Sequence, residues 1–137
     1  MKGIYVLIIK VTTQTSLKIG ALDKITFPAN TYAYVGSAQG SIESRVRRHI
    51  RKEKHLFWHI DYLLTDTNVK IVQIYYSTGP KTSECQIAQL IAKHSNTIPN
   101  FGCSDCHCKS HLFYSNNFNF LKDHLKQLTL PDISGLT

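Results

Sequence analysis

The chain has 137 residues, 42% of them apolar and 18% charged, which suits one domain with a buried core and excludes a disordered or low-complexity segment. Lys and Arg total 16 against 9 for Asp and Glu, a net charge of +7 with His neutral. No apolar run approaches the length of a bilayer span and the first residues show no signal-peptide cleavage pattern, so the expectation is a cytoplasmic, soluble single domain over 1–137 with no membrane partner.

Ile4 to Val11 is a β-rich apolar run that predicts a buried strand. Ser16–Ile19 and Ile25–Phe27 predict a second strand or its edge, broken by Gly20, and Pro28 to Asn30 marks a turn. Tyr32 to Val35 is the next strand, followed from Gly36 to Gly40 by a loop of mostly small residues. Ser41 then caps a helix in which Ile42, Val46 and Ile50 recur every four positions and face the core. Arg45 and His49 share a neighbouring face one turn apart. A second short helix is expected over Leu56–Leu64, with Trp58 and Leu63 in the core, then a strand over Val69–Tyr76 ended by Gly79 and Pro80. Thr82 or Ser83 caps a third helix running from Glu84 to about His94. Phe101 to Ser110 is a cysteine-bearing loop, His111 to Tyr114 a final strand, and Phe118 to Leu130 a short closing helix or turn. The pattern is a mixed α/β (α+β) domain, a small mixed or antiparallel sheet flanked by helices.

The positive charge is concentrated. Arg45, Arg47, Arg48, Arg51, Lys52 and Lys54 place six of the 16 basic residues within ten positions. Such a patch suits a polyanion, because each neutralised phosphate releases counterions, although a solvated helix face has the same composition. Arg47, Arg48, Arg51 and Lys52 are the candidate nucleic-acid contacts. Cys103, Cys106 and Cys108 cluster with His111 in a spacing that can converge on structural zinc, the fourth ligand coming from His107, His111 or Cys85. Reduced thiols in a short loop are the alternative, and a structural disulfide is disfavoured without a signal peptide.

Tyr5 and Tyr34 on strands, Arg45 and His49 on the first helix, and Glu84 on a separate helix could assemble a hydrolytic site. Metal-assisted phosphodiester hydrolysis needs a carboxylate for a hard cation, a guanidinium for phosphate charge and a proton acceptor for water. Taken singly, each of these residues is also ordinary in its place.

Gly3-Ile4-Tyr5 followed by Tyr34-Val35-Gly36 and Ala38 resembles the signature pair of the GIY-YIG nuclease superfamily. The segments Arg45-Val-Arg-Arg-His49, Trp58-His-Ile-Asp-Tyr-Leu63 and Gly102-Cys-Ser-Asp-Cys-His-Cys-Lys-Ser-His111 are similar to its stand-alone, Uri-like branch, in the same order and over most of the chain. The resemblance implies a GIY-YIG-like fold and an endonuclease using one Mg2+ or Mn2+ ion on DNA, with RNA not excluded. By that carry-over Glu84 binds the metal, Arg45 steadies the scissile phosphate, and Tyr5 activates water beside Tyr34, its phenolate favoured by cationic neighbours. His49 matches a histidine of some members, placed either to share the proton transfer or to contact phosphate or pack. The family's asparagine has only Asn96 and Asn100 as candidates here, neither in the usual context. A non-catalytic nucleic-acid-binding module, stabilised by zinc, is the alternative reading, and thiol redox chemistry at Cys106 and Cys108 a more distant third.

Overall fold

The computed structural model describes residues 1–102 and 110–130. Strands β1 (Gly3–Val11), β2 (Thr15–Lys18), β3 (Lys24–Phe27) and β4 (Asn30–Ala38) lead into helices α1 (Ile42–Ile50) and α2 (His59–Leu64). Strand β5 (Val69–Ser77), helix α3 (Ser83–Ala92), strands β6 (Asn96–Thr97) and β7 (Leu112–Ser115), a 3-10 turn (Asn119–Asp123) and strand β8 (Lys126–Gln127) follow. Six strands form one sheet in the order β6-β7-β4-β1-β5-β8, antiparallel at every step, while β2 and β3 pair as a separate hairpin. The fold is α+β with a largely central antiparallel sheet, as the element pattern predicts.

Strand β1 lies in mid-sheet because both of its faces are covered. Its odd residues Tyr5, Leu7 and Ile9 pack in one core with Ile42 and Val46 of α1 and Ile60 and Leu63 of α2. Its even residues Ile4, Val6 and Ile8 pack in a second core with Ala88 and Ile91 of α3 and with Phe118 and Leu121. A strand buried on both sides needs an unbroken apolar run, and Ile4 to Ile9 has one. Among the described residues no helix is long and apolar enough to cross a membrane.

Ser41 caps α1 as expected, its Oγ accepting from the Ser44 N–H at 3.1 Å. The buried stripe of α1 is Ile42, Val46 and His49, with Ile50 only partly buried. Helix α2 starts three residues later than the pattern Leu56–Leu64 suggests. The reason is Asp61, fully buried, whose Oδ2 accepts from the backbone N–H groups of both Phe57 and Trp58 at 2.9 Å. That loop-holding bond satisfies donors that a longer helix would have used. Strands β6 and β8, two residues each, carry no periodicity to read and exist only through their pairing with β7 and β5.

The basic cluster is largely built into the fold. Arg48 makes a two-pronged ion pair with Asp61, at 2.9 and 3.0 Å, and donates to the His55 carbonyl. Lys54 donates to the carbonyls of Arg48 and His49, closing the C-terminal turn of α1 where the helix dipole favours a cation. Lys52 reaches from the end of α1 to the carbonyls of Leu64 and Asp66, each at 2.8 Å, and of Val69, tying α2 to β5. Lys52→Met should therefore lower the free energy of unfolding by about 1–3 kcal/mol, since it strands acceptors that only an ammonium reaches. Urea denaturation measures the loss.

Candidate active site

Strands β1 and β4 place Tyr5 opposite Gly36, and the Tyr5 ring lies across that glycine. A Cβ on Gly36 would stand 2.5 Å from Tyr5 Oη, so no larger residue fits beneath the ring. Gly3, at φ +153°, passes so close to β5 that its Cβ would meet the Ser77 carbonyl oxygen at 2.2 Å. The glycines of both motifs are thus steric conditions for holding Tyr5 where it is.

A cleft of about 580 Å³, a size typical of ligand sites, opens beside this strand pair. Tyr5, Tyr34, Arg45, Trp58, Glu84 and His111 are among the residues that line it. The structure therefore brings together Tyr5, Tyr34, Arg45 and Glu84, drawn from β1, β4, α1 and α3. His49, 1% exposed, bonds Tyr5 Oη through Nε2 at 2.8 Å. Arg45 donates to the Ser37 carbonyl at 3.2 Å, and the guanidiniums of Arg45 and Arg48 both pack on the Trp58 ring, 4.6 and 4.4 Å from its centre. Trp58 is accordingly a platform for cations more than a core residue. Phe57 at the cleft's rim is 78% exposed.

Of the four candidate nucleic-acid contacts, the charged heads of Arg48 and Lys52 are held by internal acceptors. Arg51 is exposed and Arg47 partly so.

Burial sets the protonation of the central pair. It raises the Tyr5 phenol above its ordinary value, and the adjacent Arg45 only partly offsets this. Tyr34 is raised as well, by burial first and by Tyr5 second. Tyr5 thus rests as a neutral phenol, where cationic neighbours were expected to favour the phenolate. Burial, reinforced by Lys54, lowers His49 to about 3, so its imidazole is neutral. Its Nδ1 has no hydrogen-bond partner among the described residues. Asp61 pulls His49 upward, while Arg48 and Arg45 add to the lowering.

A histidine kept neutral by the fold makes stability pH-dependent. The unfolded chain takes up a proton near 6.5, the folded one only near 3, so the unfolded state holds more protons between those values. Stability from this group is whole above pH 6.5 and falls as the pH drops toward 3. The slope is at most about 1.4 kcal/mol per pH unit. His49→Gln should flatten that part of the acid limb, as urea midpoints at about pH 7 and about pH 5 would show; equal losses in both proteins would contradict it.

His59 accepts from the Gly102 N–H through Nδ1 at 2.9 Å, which leaves the proton of its neutral ring on Nε2. His111 stands in the cleft with Nδ1 3.2 Å from Glu84 Oε1. Both are buried. This neighbour of Glu84 was assigned to zinc on sequence spacing, which cannot show a contact between residues 27 positions apart. Cys103, Cys106 and Cys108 lie outside the described residues. Cys85 is disulfide-bonded, where a structural disulfide was disfavoured, and a sulfur so bonded is no thiolate ligand for zinc. Asn96 and Asn100 are exposed, and Asn100 serves a turn with φ 63°. Among the described residues, no three His, Cys, Asp or Glu side chains converge on a metal position.

The fold and the cleft together define an α+β domain with two phenols, a guanidinium and a carboxylate facing one polar cavity. A family model matches residues 4–130, and the chain belongs to that family, described as domain of unknown function DUF123. No curated protein and no solved structure matches it.

Proposed function

We propose that the protein is a metal-dependent endonuclease that hydrolyses phosphodiester bonds in DNA. The observation that carries this reading is the 2.8 Å bond from Tyr5 to His49 at the wall of a cleft shared with Arg45 and Glu84. Water attacks phosphorus and gives its proton to Tyr5 Oη, as the phenolic proton passes to His49 Nε2 and the bond from phosphorus to the leaving oxygen breaks. Tyrosine stays neutral throughout, which its buried position requires. The imidazolium formed is disfavoured in the free protein, and the anionic phosphate brought into the cleft supplies the compensating charge. Arg45 neutralises the charge that develops on the phosphate oxygens.

Glu84 fits a hard divalent ion: its carboxylate lines the cleft, and among the described residues few protein ligands stand nearby, which leaves room for water and phosphate, as Mg2+ and Mn2+ require. When bound, the ion supplies Lewis-acid charge to the scissile phosphate. Arg47 and Arg51 contact neighbouring phosphates of the strand.

The test is cleavage of labelled single-stranded, duplex and forked DNA, with an RNA strand for comparison, in Mg2+ or Mn2+. Cleavage that Glu84→Ala abolishes supports the proposal. Salt-sensitive binding without cleavage in any form would make the protein a binding module instead.

A further inference from the structure

We infer that His111 is a second ligand of the divalent ion, through Nδ1 beside Glu84 Oε1, and that the site prefers manganese to magnesium. The inference rests on the proposed metal site at Glu84. Its geometric basis is the 3.2 Å separation of the two atoms. Donors each about 2.1 Å from an octahedral ion stand about 3 Å apart on adjacent positions, which is close to the spacing of these two atoms.

The backbone at His111 is fixed on both sides. The His111 N–H donates to the Phe101 carbonyl and its own carbonyl accepts from the Val35 N–H, each at 2.9 Å. The chain is thereby locked to β4 immediately before β7 pairs with the same strand. The side chain is 2% exposed yet lines the cleft.

The donor chemistry sets the preference. Magnesium takes oxygen ligands and keeps its waters, whereas imidazole nitrogen suits first-row transition ions. A nitrogen and a carboxylate oxygen together favour Mn2+, with the other positions left to water and the scissile phosphate. The competing role for His111 is to hold the Glu84 carboxylate by a hydrogen bond, with no contact to the ion.

Pulsed electron paramagnetic resonance of Mn2+ bound to the whole protein separates these. Coupling to an imidazole nitrogen that changes on 15N-histidine labelling, survives His59→Gln and disappears in His111→Gln is the expected result. Calorimetry should show His111→Gln losing Mn2+ affinity by about tenfold or more, with a smaller loss for Mg2+. Mn2+ bound in a Glu84-dependent way without nitrogen coupling overturns the inference and leaves the nuclease reading standing. Failure of the wild type to bind either ion overturns both. Circular dichroism of each variant confirms the fold, and the wild-type spectrum alone decides nitrogen ligation if a variant unfolds.

Discussion

Tyr5→Phe should lower the single-turnover rate of DNA cleavage by about 10²–10⁴, the range spanned by positioned proton transfer. The substitution removes one oxygen and leaves the ring over Gly36. It also deprives the His49 imidazole of its only hydrogen bond among the described residues, since Nδ1 already lacks a partner. The accompanying loss of stability is about 1–3 kcal/mol, and circular dichroism checks that the variant is folded under the assay conditions. Because Tyr5 and His49 act as one relay, Tyr5→Phe combined with His49→Gln should be scarcely slower than either alone. Additive losses in the double variant would separate the two residues and remove the relay.

The largest effect on stability should come from Asp61→Ala. Asp61 is fully buried and holds four donors: two from Arg48 and the backbone N–H groups of Phe57 and Trp58. Burial raises its carboxyl, but Arg48 and those two N–H groups more than offset this and keep it ionised. Removing the carboxylate takes the ion pair from the Arg48 guanidinium and the acceptor from two amides, which costs about 3–5 kcal/mol. A much lower urea midpoint is the expected result. Asp61→Asn, which keeps the shape and some acceptors, should fall between. Cleavage should drop as well where the variant is folded, because Trp58 carries Arg45 and is set in place by Asp61. A midpoint within experimental error of the wild type would contradict this reading of the loop.

What could be read from the sequence followed local rules. The apolar run of β1, the Ser41 cap and the strand over Val69–Tyr76 each rest on residues near one another in the chain, and each is present. The start of α2 was misplaced because Asp61 uses its side chain to hold the preceding loop, a choice that composition does not encode. The basic run looked like one nucleic-acid surface, yet Arg48, Lys52 and Lys54 found carbonyl and carboxylate partners inside the fold. A count of charges cannot separate a cation that meets solvent from one that caps a helix.

The site itself was legible only in parts. Tyr5 and Gly36 face each other through strand register, and the motif spacing carries that information without showing why a glycine is needed. His111 was seen, but among cysteines. Its approach to Glu84 comes from the pairing of β7 with β4 and has no local signature. The neutral state of Tyr5 and His49 also depends on burial from several elements at once, so the expected phenolate gave way to a phenol bonded to an imidazole.

The most direct measurement is single-turnover cleavage of DNA by metal-free protein before and after Mn2+ is added, with Glu84→Ala run alongside. The expected result is cleavage by the wild type only once Mn2+ is present, and none by Glu84→Ala under the same conditions. Equal cleavage by the two proteins, or cleavage by the wild type that is indifferent to Mn2+, would contradict hydrolysis at this cleft.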